Sequence, residues 1–140
     1  MKSIEILIKE HENILLLTRC LEKACSNLIE NDDFSKDDFY FFVEFGKVYG
    51  DKLHHQKEED ILFTEMENTL GPTAKKLIRT GMYVEHDLGR LYLSNILNVL
   101  DKMIGNKPTT ADKLDIIGNS IAYRDLLNRH IDKENNAVYT

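Results

Sequence analysis

The chain has 140 residues, 42% apolar and 30% charged, with a formal net charge of -6. That length buries a core as one domain without staples, and the acidic balance excludes the basic stripe of a nucleic-acid binder. No apolar run reaches the ~20 residues of a membrane span, and an amphipathic pattern begins at Met1-Lys2-Ser3-Ile4-Glu5 with no secretory leader, so a cytoplasmic protein is expected.

The periodicity predicts an all-α chain. A first helix, about 2–30, is apolar at Ile4, Leu7, Ile8, Ile14, Leu15, Thr18, Leu21, Cys25, Leu28 and Ile29, with His11 on the same stripe. Cys20 and Cys25 lie five residues apart on this helix and point in different directions, so they are expected to stay reduced. Asn31-Asp32-Asp33 breaks the pattern. Ser35, with Asp38 three residues on, opens a second helix, about 35–70, carrying Phe39, Phe42, Val43, Phe45, His54, Glu58, Ile61 and Leu62. Gly71-Pro72 ends it and starts a third, about 72–104, with Pro at a first-turn position. That helix holds Leu77, Ile78, Met82, His86, Leu93, Ile96, Leu97 and Leu100. Gly105-Asn106-Lys107-Pro108 stops it, and Thr109 or Thr110 caps a fourth, about 109–140, with Leu114, Ile117, Ile121, Leu127, His130 and Glu134. Gly46, Gly50, Gly81, Gly89 and Gly118 fall inside helices, where a small residue lets a neighbouring helix approach. Long helices joined by short loops predict an antiparallel up-down-up-down four-helix bundle, a single domain spanning 1–140.

The two halves repeat one another. His54-His55-Gln56-Lys57-Glu58 recurs as His130-Ile131-Asp132-Lys133-Glu134, and Glu10-His11-Glu12 recurs as Glu85-His86-Asp87. The offset is 75 residues from His11 to His86 and 76 from His54 to His130, which predicts an internal pseudo-two-fold axis. In an antiparallel hairpin, residues equidistant from the turn stand at one height. The midpoint of His11 and His54 falls at Asp32-Asp33, that of His54 and His86 at Leu70, and that of His86 and His130 at Pro108. All three midpoints are predicted turns or adjoin one, so the four histidines share a level. Glu58 and Glu134 each follow a histidine by four residues and share its helix face, about 6 Å further along the axis.

A lone histidine on an apolar stripe is usually a hydrogen-bonded core residue. Four at one level, two with a glutamate one turn on, would be costly to bury without a metal. The candidate ligands are therefore His11, His54, Glu58, His86, His130 and Glu134. His55 is an additional candidate, but its repeat partner is Ile131, which favours a packing role. Glu59 and Asp60 match Asn135 and Asn136 and are read as solvated. Tyr123, seven residues before His130, is read as core, whereas Met82 and Arg90 flank His86 by one turn and are placed to line a pocket.

Imidazole with carboxylate and no thiolate suits iron or manganese better than structural zinc. Two histidines per metal, one oxygen from each bridging glutamate and an oxo or hydroxo bridge give each metal five ligands and one open position. A diatomic gas binds at such a position. No nucleophile, phosphate loop or Ser-His-Asp set suggests other chemistry.

These segments (Glu10-His11-Glu12, His54 to Phe63, Glu85-His86-Asp87 and His130 to Glu134) resemble the hemerythrin-like family, in particular its HHE cation-binding domain branch. The resemblance spans nearly the whole chain. It implies a non-haem di-iron site with His11, His54, His86 and His130 as iron ligands and Glu58 and Glu134 bridging. Two features depart from the oxygen carriers of the family. Those have two histidines one turn apart on the third helix, where this chain has Met82 and Arg90 around His86, and they end in His followed by Asp rather than His130 with Glu134. The four-His, two-Glu set is more similar to the di-iron domain of iron–sulfur cluster repair proteins, which carry an extra cysteine-bearing N-terminal segment. The expectation is a di-iron protein binding oxygen or nitric oxide for sensing, storage or stress response. The alternatives are a di-iron enzyme of nitric oxide or peroxide detoxification or cluster repair, and a protein in which metal mainly holds the fold. No redox partner is legible.

Overall fold

Helix α1, Lys2–Asn31, is the longest uninterrupted stretch before the first turn. The computed structural model describes residues 2–48 and 71–133. On α1, Ile14, Leu17, Leu21, Cys25 and Leu28 are buried, spaced by three or four residues as one face of a 3.6-residue helix requires. The helix ends where Asp32 takes a left-handed backbone conformation, φ 52°. Aspartate tolerates that conformation better than most residues, and it is a common way to stop a helix.

Helix α2, Lys36–Phe45, starts on Ser35, whose hydroxyl accepts the Asp38 backbone N–H at 3.2 Å. Asp37 and Asp38 stand in its first turn, where the helix dipole favours negative charge. Phe39 and Val43 face the interior, and Phe34 stacks on Phe39 with ring centroids 5.4 Å apart. Beyond Phe45, residues 46–48 form a wider turn of the i→i+5 kind. The rest of the second predicted helix, including Gly50, lies outside the described residues.

Helix α3, Pro72–Lys102, has its proline in the first turn and Lys102 in the last. The Met103 N–H closes it onto the Val99 carbonyl, and Gly105 turns the chain at φ 75°, where a side chain would be strained. Helix α4, Thr110–Lys133, is capped by a reciprocal pair. Thr109 Oγ1 accepts the Asp112 N–H at 3.1 Å, and the Asp112 carboxylate accepts the Thr109 N–H at 3.0 Å. Both satisfy backbone donors that a helix start leaves open.

Among the described residues these four α-helices are the regular elements and no strand occurs. They form a helical bundle: α3 packs on α4, α1 on α4, α2 on α3 and α1 on α2. Side-chain bonds mark the register. Lys36 Nζ donates to the Met103 carbonyl and Tyr40 donates to Asp101 at 2.7 Å, joining α2 to the end of α3. Asn95 donates to Asn119 at 3.0 Å between α3 and α4, and Glu22 pairs with Arg124 between α1 and α4. The shared core holds Leu21, Phe39, Val43, Leu93, Ile96, Leu100 and Ile116. Each such side chain removed from water contributes about 1.5–3 kcal/mol.

Two expected stripe residues are largely exposed. Ile29 is 69% exposed and Leu114 is 68% exposed. Leu28 beside Ile29 and Ile116 near Leu114 are buried, so these two side chains point away from the core rather than past its end. Of the helical glycines among the described residues, only Gly46 makes a close approach: a Cβ there would stand 3.0 Å from Leu93 Cδ1 and from the Tyr123 hydroxyl. Gly89 faces Tyr123 and Leu126 at ordinary contact distance, and Gly81 and Gly118 face open space. No helix among the described residues is long and apolar enough to cross a membrane.

Candidate metal centre

Three candidate ligands fall within the described residues, and all three are buried. His11 on α1 is 1% exposed, His86 on α3 is 6% exposed and His130 on α4 is 5% exposed. Helical period explains this: His11 continues the stripe of Ile14, His86 that of Leu93, and His130 that of Tyr123 and Leu127. His54, His55, Glu58 and Glu134 lie outside the described residues.

His86 and His130 meet across the α3–α4 contact. Their ring centroids are 5.2 Å apart, inclined at 63°. The Nε2 atoms of both rings are fully buried. Tyr83, one turn before His86, sets its ring edge-on to that imidazole at 6.5 Å. Both histidines line a cavity of about 20 Å3, together with Glu85, Gly89, Leu93 and Tyr123. That volume suits one water-sized guest. Arg90 lines the same cavity and its guanidinium pairs with Asp87 at 2.8 Å. The Met82 side chain lies outside the description. His11 is not among the described residues lining this cavity.

The sequence assigned no role to Glu85, yet Glu85 Oε2 lies 2.8 Å from His130 Nδ1. The pair is largely shielded, with side-chain exposures of 19% for Glu85 and 6% for His130. A carboxylate on one ring nitrogen leaves the other nitrogen to bind a metal, and a ligating histidine almost always donates its other N–H to a carboxylate, a backbone carbonyl or water. The donor set therefore fits a metal on its histidine side. Among the described residues, no three His, Cys, Asp or Glu side chains converge closely enough to hold an ion by themselves.

Tyr123 is buried, as its place on the stripe predicted, but it also lines the cavity. The only signal for that double position was its seven-residue spacing from His130. Glu85 had a clearer one. It precedes His86 as Glu10 precedes His11, and Glu10 is buried, 7% exposed, where Glu85 is partly buried. An acidic side chain kept from water beside a candidate ligand in both halves is unusual for a merely solvated charge.

No curated protein and no solved structure matches the chain. A family model does, over residues 2–140, and its description is the hemerythrin HHE cation binding domain. The chain belongs to the hemerythrin HHE cation-binding family.

Proposed function

We propose that this is a non-haem di-iron protein that binds a small diatomic gas, oxygen or nitric oxide, for sensing, storage or stress response. The observation that carries it is the buried meeting of His86 and His130 at a water-sized cavity, with the His130 ring held by Glu85. Leu93, Leu126 and Leu127 give that cavity apolar walls, which suit an uncharged guest. Membership of a cation-binding family supports the metal.

In this proposal His11, His54, His86 and His130 would hold the iron through nitrogen and Glu58 and Glu134 through carboxylate oxygen. His55 is assigned a packing role rather than a metal bond. The iron pair, when bound, would supply redox-active Lewis acidity toward the gas. The protein's own part is to exclude bulk water, fix the imidazoles and limit the guest's size. The bundle is a single up-down-up-down domain with a pseudo-two-fold axis. The order of the α1–α4, α2–α3 and α3–α4 contacts supports the topology, each contact later on one helix being earlier on its neighbour, and the sequence repeat supports the axis. The free thiols of Cys20 and Cys25 suit a reducing cytoplasm.

The test is anaerobic iron loading followed by optical spectra with oxygen, nitric oxide and peroxide. A stable, reversible gas adduct is expected. Repeated turnover with a reductant and no stable adduct would favour an enzyme instead.

A further inference from the structure

We propose that Glu85 is the positioning residue for His130, fixing its ring as the Nδ1–H tautomer so that Nε2 is the metal donor. This rests on the proposal that His130 binds metal. The geometry is specific. Glu85 leaves α3 one residue before His86, and its Oε2 reaches across to His130 Nδ1 on α4 at 2.8 Å. One short segment of α3 thus provides both a candidate ligand and the acceptor that orients a candidate ligand on the facing helix.

Two physical consequences follow. A neutral imidazole carries one N–H, and a carboxylate acceptor at Nδ1 places it there, leaving the Nε2 lone pair for a cation. A charged acceptor also makes the ring a stronger donor than a neutral one would. Glu85 is only 19% exposed in its side chain, so water does little to weaken the contact. Glu85, His86 and His130 line one cavity together.

The test has a readout without metal and one with it. First, the tautomer of His130 in the unmodified apo-protein is read by 15N NMR after histidine labelling, with His130→Gln to assign the resonance. The Nδ1–H form is expected; the Nε2–H form would overturn the proposal, whatever any variant does. Second, cobalt(II) affinity is measured by competition titration for the wild type, Glu85→Gln, Glu85→Ala and His130→Ala. Glu85→Ala is expected to bind roughly 10–100-fold more weakly. Glu85→Gln, whose amide oxygen still accepts from Nδ1, is expected to lose less and to keep the tautomer. If His130→Ala binds cobalt as the wild type does, the metal role of His130 fails. If His130→Ala is weakened while Glu85→Ala is not, the positioning role alone is overturned.

Discussion

Gly46 and Tyr123 approach so closely that a Cβ at Gly46 would stand 3.0 Å from the tyrosine hydroxyl, although the two residues lie on different segments of the bundle. Leu93 Cδ1 stands equally near. A methyl group there must push one of them aside. Overpacking costs typically 1–3 kcal/mol, and the lower backbone entropy of alanine returns about 0.5–1 kcal/mol. Gly46→Ala is therefore expected to destabilise by about 1 kcal/mol in urea denaturation. The cost should shrink in a Tyr123→Phe background, where the hydroxyl is gone. An equal cost in both backgrounds would show that Leu93 alone resists the methyl.

The two cysteines should differ in reactivity. Cys25 is buried in the core, and that burial pushes its thiol pKa up, partly opposed by the Ser120 hydroxyl. Cys20 is exposed. A thiol reagent at neutral pH should label one cysteine in the native protein and two after denaturation, with peptide mapping placing the first on Cys20. Rapid native labelling of Cys25 would contradict the packing around it.

Asp32 closes α1 in a left-handed conformation and pairs with Lys113 of α4. Its carboxyl is held below the usual value, first by the hydrogen bond from Lys113 and then by that charge. The folded state thus prefers the ionised form. The stabilisation is present above the unfolded pKa of about 3.9 and fades as the pH falls through the lower folded value. Asp32→Asn keeps a residue that tolerates the backbone but removes the charge. The wild type should be slightly the more stable at pH 7, and the difference should vanish in strong acid. A gap that persists at low pH would assign the effect to the backbone instead.

Several features were legible because their causes are local. The starts at Ser35, Pro72 and Thr109 and the turn at Gly105 depend on neighbours three or four residues away, and each stands where its chemistry placed it. The burial of His11, His86 and His130 followed from helical period. The Glu85–His130 bond was not legible, because it depends on the rotation of two facing helices. An acidic residue beside a candidate ligand otherwise reads as solvated. Ile29 and Leu114 misled for a related reason: period marks a broad face but not which residues at its edge turn to solvent, and both are exposed while Leu28 and Ile116 are buried. The wide turn at 46–48 carries no breaking residue except Gly46, which packs closely against Leu93 and Tyr123, a tertiary contact that local sequence does not show. His54, His55, Glu58 and Glu134 lie outside the described residues, so the carboxylate side of the centre rests on the repeat and the family.

Those four residues give a graded prediction. Bridging carboxylates would touch both ions, whereas one imidazole touches one. Glu58→Ala or Glu134→Ala should lower occupancy at both metals, and His54→Ala mainly at one. Adjacent residues on a helix point about 100° apart, so His55→Ala should keep two irons and gas binding. Iron content by metal analysis, with Mössbauer spectra to separate the two ions, reads each case. A His55 variant that loses iron as severely as a His54 variant would make His55 a ligand.

The most direct measurement is the metal content of the chain after purification from an iron-sufficient source and after anaerobic loading. Two irons per chain are predicted, with stability that falls when they are removed, since ligands drawn from several helices couple binding to folding. One zinc and no iron would contradict the di-iron account.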